Sequence, residues 1–136
     1  EEATAQLYTG EWLHTGDLAY VDEEGFVYFI DRKKELVKTG GENVYPREVE
    51  DVIKMHPAVD DIVVIGLPDP GRWGEIVTAA VVLREGSTLT LEEIKSFCRD
   101  RIAGYKIPKV LKVVPEIPRN ASGKPLKMDL KARFSE

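Results

Sequence analysis

The stretch YPREVEDVIKMHPAVDDIVVIGL, residues 45–67, changes its hydrophobic period in mid-course. Its first half places Val49, Val52, Ile53 and His56 at i, i+3, i+4 and i+7, one face of an amphipathic helix. Pro46 suits a first helical position, where a missing N–H costs nothing. Glu48 lies in the first turn, near the positive helix end, and Pro57 stops the run, so residues 46–56 are predicted helical. The second half, DIVVIGL (61–67), is apolar and rich in β-branched residues, which reads as a strand.

Working outward, IVTAAVVL (76–83) is a second strand, separated from the first by the turn-rich PDPGRWGE (68–75). Thr90 and Glu93 have the spacing of a capping box. Ile94, Phe97, Cys98 and Ile102 then define a helix face that Gly104 stops. KVLKVVP (109–115) reads as a further strand, PRNASGK (118–124) as a loop, and residues 125–134 as a final short helix. Upstream, LAYVDEEGFVYFI (18–30) is a hairpin around an acidic turn ending at Gly25. DRKKELVKTGGENVY (31–45) reads as a connector and an exposed flexible loop. The expected fold class is α+β: a small mixed sheet with packed helices, preceded by a β-hairpin.

With 43% hydrophobic and 32% charged residues, the 136-residue chain is compositionally globular, not disordered. No apolar run approaches the roughly 20 residues that span a bilayer. The net charge of −5 hides an asymmetry. Residues 1–30 carry seven acids and no Lys or Arg, whereas residues 105–136 carry eight bases against three acids. A basic segment suits nucleic acid, a membrane surface or a small phosphorylated ligand. Spaced lysines without interleaved aromatics, in an acidic chain, argue against nucleic acid. The single Cys98 excludes an intrachain disulfide and a cysteine metal cluster, and His14 and His56 are too far apart to suggest zinc. No metal site is expected.

Four strings in this order, GEWLHTGDL (10–18), DRKKELVKTGGENVYPREVE (31–50), PDPGRWGE (68–75) and PRNASGKPLK (118–127), together span most of the chain. They resemble the adenylate-forming superfamily of AMP-forming acyl-CoA synthetases, and within it fatty-acid CoA ligases. The resemblance implies a ligase that activates a carboxylic acid with ATP and Mg2+, then passes the acyl group to coenzyme A. It implies that residues 1–30 end a large N-terminal AMP-binding domain and that residues 31–136 form the C-terminal lid. The large domain, with its phosphate loop and acyl pocket, is then the missing partner. The isolated chain is expected to be inactive, and the enzyme cytoplasmic like most relatives. An aryl-CoA ligase, a carrier-protein-loading adenylation domain and a non-catalytic module with the lid fold are the alternatives.

The resemblance also assigns residues. Asp17 implies a bidentate acceptor for the ATP ribose, and Arg32 a donor to the same sugar. Asp31 matches the hinge, at an element end where a change in φ and ψ is absorbed. Lys38, Gly40 and Gly41 resemble the thioester-step loop, with Gly40 and Gly41 passing close to pantetheine and Lys38 stabilising developing charge. Lys124 matches the adenylation lysine, an ammonium between carboxylate and α-phosphate, with Gly123 and a polar loop letting it be delivered by domain closure rather than held rigidly. Arg72, Lys106 and Arg119 are candidates for the phosphates of coenzyme A. Trp73 is read as packing in its turn and Cys98 as a buried structural thiol.

Overall fold

A computed structural model describes residues 2–5, 7–71 and 74–135. The chain divides into two compact units, Glu1–Glu35 and Leu36–Glu136.

The first unit opens with a short helix, α1 (Glu2–Ala5), and a two-residue ladder, β1 (Tyr8–Thr9) with β2 (Trp12–Leu13). Its main feature is the predicted hairpin, β3 (Asp17–Val21) paired antiparallel with β4 (Val27–Arg32), with a bulge between Leu18 and Ala19. Asp22 closes the turn: its Oδ1 accepts the N–H groups of Glu24 at 3.0 Å and Phe26 at 2.9 Å. Desolvation, the largest single influence, pushes its carboxyl upward, but hydrogen bonds from Phe26, Tyr28, Glu24 and Gly25 together outweigh it and hold it below the ordinary value. Tyr20 and Tyr28 stack across the strands at 4.8 Å.

The second unit is built on a three-stranded sheet ordered β7 (Val59–Pro68), β8 (Glu75–Leu83), β9 (Val110–Val113). The first pair is antiparallel and the second parallel, so the sheet is mixed as expected. Its alternate residues face two cores. One holds Val64, Val77, Ala79 and Val81 with α2 (Pro46–Lys54) and α3 (Leu91–Cys98). The other holds Val63, Ile65 and Ala80 with Leu130 of α4 (Lys127–Phe134). Pro46 opens α2, and Val49 and Ile53 are fully buried. Burying each of these side chains stabilises the fold by about 1.5–3 kcal/mol. The capping box forms as read: Thr90 Oγ1 accepts the Glu93 N–H, and the Glu93 carboxylate accepts the Thr90 N–H at 2.7 Å.

Three expectations are corrected. Both α2 and α3 are shorter than predicted; α2 ends at Lys54, and Ile102 reaches the core from beyond the end of α3. Gly104 begins a 3-10 turn, Gly104–Lys106, rather than capping α3. Most consequentially, the stretch read as a flexible loop is largely ordered. A 3-10 turn (Lys33–Glu35) precedes a second hairpin, β5 (Val37–Thr39) with β6 (Glu42–Val44). Gly40 and Gly41, at φ +57° and +88°, make its two-residue turn, which needs positive φ at both places. Val37 and Val44 are buried partners in the core, so hydrophobic anchoring overrode the loop composition.

Candidate functional site

Within the first unit, hairpin register brings Asp17 opposite Arg32, and Arg32 Nε meets Asp17 Oδ1 at 2.7 Å. Both side chains keep solvent access, at 33% and 49%, so either can still meet a ligand. Asp31, beside them in β4, is buried, and its Oδ1 accepts the Arg32 N–H at 2.7 Å.

In the second unit, strand alternation aims Lys38 outward between buried Val37 and Thr39. The hairpin is held to β8 as well as to itself. Thr39 bridges Gly74, and the Lys38 N–H donates to Glu75 Oε2 at 3.1 Å. Lys38, Gly41, Glu42, Asn43, Gly74 and Glu75 line an open groove of about 640 Å³.

Lys124 is exposed at the end of the 118–124 loop. Asn120 organises that loop: its Oδ1 accepts the N–H groups of Ser122 at 3.1 Å and Lys124 at 2.8 Å, and the Ser122 hydroxyl at 2.8 Å. The backbone closes on itself through Asn120 N–H to Lys124 O, 2.9 Å, and Gly123 N–H to Asn120 O, 2.9 Å. Arg119 adds an outer clasp, with Nη1 on Gly123 O at 2.8 Å and Nη2 on Asp61 Oδ2 at 2.6 Å. The loop is therefore more closely tied by hydrogen bonds than its polar, glycine-bearing sequence suggests. The Lys124 N–H and carbonyl are both bonded to Asn120, so its side chain projects from a backbone held within the loop.

The basic C-terminal segment is also partly spent inside the molecule. Lys106 lies on Glu48, with Nζ 2.7 and 2.8 Å from its two carboxylate oxygens. That hydrogen bond raises the Lys106 ammonium above its ordinary range, and desolvation offsets only part of the effect. Arg119 pairs with Asp61, Lys127 with Glu50 and Lys131 with Glu75. Partial burial pushes the Asp61 carboxyl upward. The Arg119 bond, the Ile62 N–H and the charges of Arg119 and Lys54 outweigh it, and the net direction is down. Arg119 is thereby a structural clasp in this structure, and a phosphate at Lys106 would compete with Glu48. Arg72 and Trp73 lie outside the described residues. Cys98 is fully buried, and desolvation raises its thiol above the ordinary value, against thiolate chemistry.

Two contributors escaped the sequence reading. Asn120 was legible, since an Asx side chain that accepts its own loop's N–H groups is a local turn device. Glu75 was not, because its bond to Lys38 joins residues 37 apart. Among the described residues, no three His, Cys, Asp or Glu side chains gather to hold a metal ion, and no helix is long and apolar enough to cross a membrane.

The profile of the AMP-binding enzyme C-terminal domain matches residues 48–124. The chain is 46% identical over all 136 residues to the 2-succinylbenzoate–CoA ligase of Bacillus cereus, covering 28% of that protein. It is 51% identical over 131 residues, 96% of its length, to the crotonobetaine/carnitine–CoA ligase of Citrobacter koseri, covering 25% of it. Its fold matches the o-succinylbenzoate CoA synthetase of Bacillus subtilis in complex with an acyl-adenylate intermediate. The TM-score there is 0.85 at 43% identity, with 93% of this chain and 26% of that one covered. The chain thus spans about a quarter of the length of the curated relatives it matches.

Proposed function

The chain belongs to the family of AMP-binding enzyme C-terminal domains, and from that membership we propose that it is the lid portion of an AMP-forming acid–CoA ligase. Lys124 serves adenylate formation and the Lys38 hairpin serves thioester formation. In the first step a carboxylate oxygen attacks the α-phosphorus of ATP, and the bond to the bridging oxygen breaks to release pyrophosphate. Two anions must meet, and negative charge grows on the phosphate oxygens. An ammonium delivered there neutralises both, a contribution comparable to an oxyanion-hole donor. In the second step the coenzyme A sulfur attacks the acyl carbonyl carbon, its proton passes to solvent, and the bond to AMP breaks.

The observation that carries this reading is an exposed Lys124 on a locked loop. A lysine on a fixed mount reaches its target by movement of the whole body that bears it. Asp31 is then the pivot, and Asp17 with Arg32 holds the ribose. Residues 1–30 belong to the large domain of the same chain, and residues 31–136 are the lid. Trp12, Val27 and Phe26 in the first unit are 79%, 69% and 60% exposed, as surface covered by further protein would be.

The acid is chosen outside this chain. Relatives named for 2-succinylbenzoate and for crotonobetaine or carnitine share it at 46% and 51% identity. The fatty-acid class suggested by GGENVYPREVE therefore stands beside aryl and short polar acids as one arm of a test. With the full-length protein, ATP, Mg2+ and coenzyme A, AMP release is expected with at least one acid of a fatty, aryl and trimethylammonio panel. No acid-dependent AMP release with any class, from folded enzyme, overturns the reading. The isolated 136-residue chain is expected to catalyse no ATP–pyrophosphate exchange.

A further inference from the structure

We propose that Glu75 is a positioning residue for the Lys38 hairpin and that it ties this hairpin to the helix following the Lys124 loop. One carboxylate oxygen, Oε2, accepts the Lys38 N–H at 3.1 Å; the other, Oε1, accepts from Lys131 Nζ on α4 at 3.1 Å. The hairpin turn itself is made of two glycines, so the Glu75 bond adds a hold from outside the hairpin on Lys38, one of the residues that line the groove. The bond is charge-assisted, and the Glu75 side chain is partly shielded from solvent.

Its neighbours leave room for this arrangement. A Cβ on Gly66, across the ladder in β7, would lie 2.5 Å from the Glu75 Cδ and 2.6 and 2.7 Å from its oxygens. A Cβ on Gly74 would lie 2.7 Å from the Lys38 carbonyl oxygen. Two glycines thus clear the space in which the carboxylate and the Lys38 backbone meet. Lys131 supplies the countercharge that keeps the carboxylate turned toward both partners. The consequence is directional: loosening Glu75 frees Lys38, while Lys124 keeps the mount that Asn120 and Arg119 provide.

The step assigned to the hairpin rests on the reading proposed above, so the test has two separable arms. The first is amide exchange in the full-length protein, read by mass spectrometry over residues 36–44. Glu75→Ala and Gly66→Ala are expected to speed exchange of that segment roughly tenfold, leaving the segment 118–126 unchanged. Lys131→Met, which leaves the acceptor in place, gives a smaller change in the same direction and covers the case in which either of the first two fails to fold. The second arm times both half-reactions. Glu75→Ala should slow thioester formation from supplied acyl-adenylate roughly 10- to 100-fold, with adenylate formation within about twofold of wild type. A purely structural carboxylate would lower both half-reactions together with the melting temperature. Unchanged exchange over residues 36–44 in all folded variants, or equal losses in the two half-reactions, overturns the proposal. A wild-type protein with no acid-dependent pyrophosphate exchange would instead sink the ligase reading and leave the exchange arm to decide the role of Glu75.

Discussion

The mounts of Lys38 and Lys124 solve one problem in opposite ways. Lys124 is held by its own neighbours: Asn120 gathers three donors within four residues, and Arg119 reaches only to Gly123 before bonding to the sheet. Lys38 is held at long range, by a carboxylate 37 residues away whose other oxygen engages a helix 56 residues further on. A local mount moves intact with whatever carries it. A long-range mount reports on the packing of the whole body. Both lysines belong to the same unit, Leu36–Glu136, so the contrast lies in what loosens each of them rather than in which one moves.

The sharpest way to break that comparison is Asn120→Ala. Removing the acceptor of three bonds should loosen the Lys124 backbone and slow adenylate formation roughly 10- to 100-fold. Thioester formation from supplied acyl-adenylate should stay near wild type. Equal slowing of both steps would show that the loop is not an independent mount.

That difference in range also explains what could be read in advance. Periodicity around Val49 and Ile53, the apolar runs in β7 and β8 and the Thr90–Glu93 box are local signals, and those elements formed, with both helices ending earlier than expected. The β5–β6 hairpin was hidden because its anchors, Val37 and Val44, are single apolar residues in a basic, glycine-bearing stretch. Nothing near Lys106 announces Glu48, 58 residues earlier, so its bases read as available for phosphate. The Asp17–Arg32 contact likewise depends on hairpin register rather than on either motif.

Weaker effects sharpen the comparison. Thr90→Ala removes the N-cap of α3, remote from both lysine mounts, and should cost about 1 kcal/mol of stability, read by chemical denaturation, with both half-reactions unaltered. The Arg119–Asp61 clasp is partly exposed, so Asp61→Asn should cost at most about 1 kcal/mol and shift adenylate formation more than thioester formation. Because the folded-state carboxyl of Asp61 lies below its ordinary value, its stabilisation is complete above the unfolded pKa and is lost as pH falls through the folded one. The Lys106–Glu48 pair has the opposite sign. The Lys106 ammonium is raised above the ordinary 10.5, so its contribution is complete below that value and is lost as pH climbs through the higher folded pKa. Denaturation of Lys106→Met at alkaline pH should converge on wild type, whereas at pH 7 it should be the less stable by up to about 1 kcal/mol.

The central claim is that Lys124 brings one positive charge to the place where carboxylate and α-phosphate react. Its most direct measurement compares Lys124→Ala with wild type in the full-length enzyme, each half-reaction timed separately. The account predicts adenylate formation slowed roughly 100- to 1000-fold, with thioester formation from supplied acyl-adenylate largely spared. Equal losses in the two steps, or adenylate formation at the wild-type rate, would contradict it.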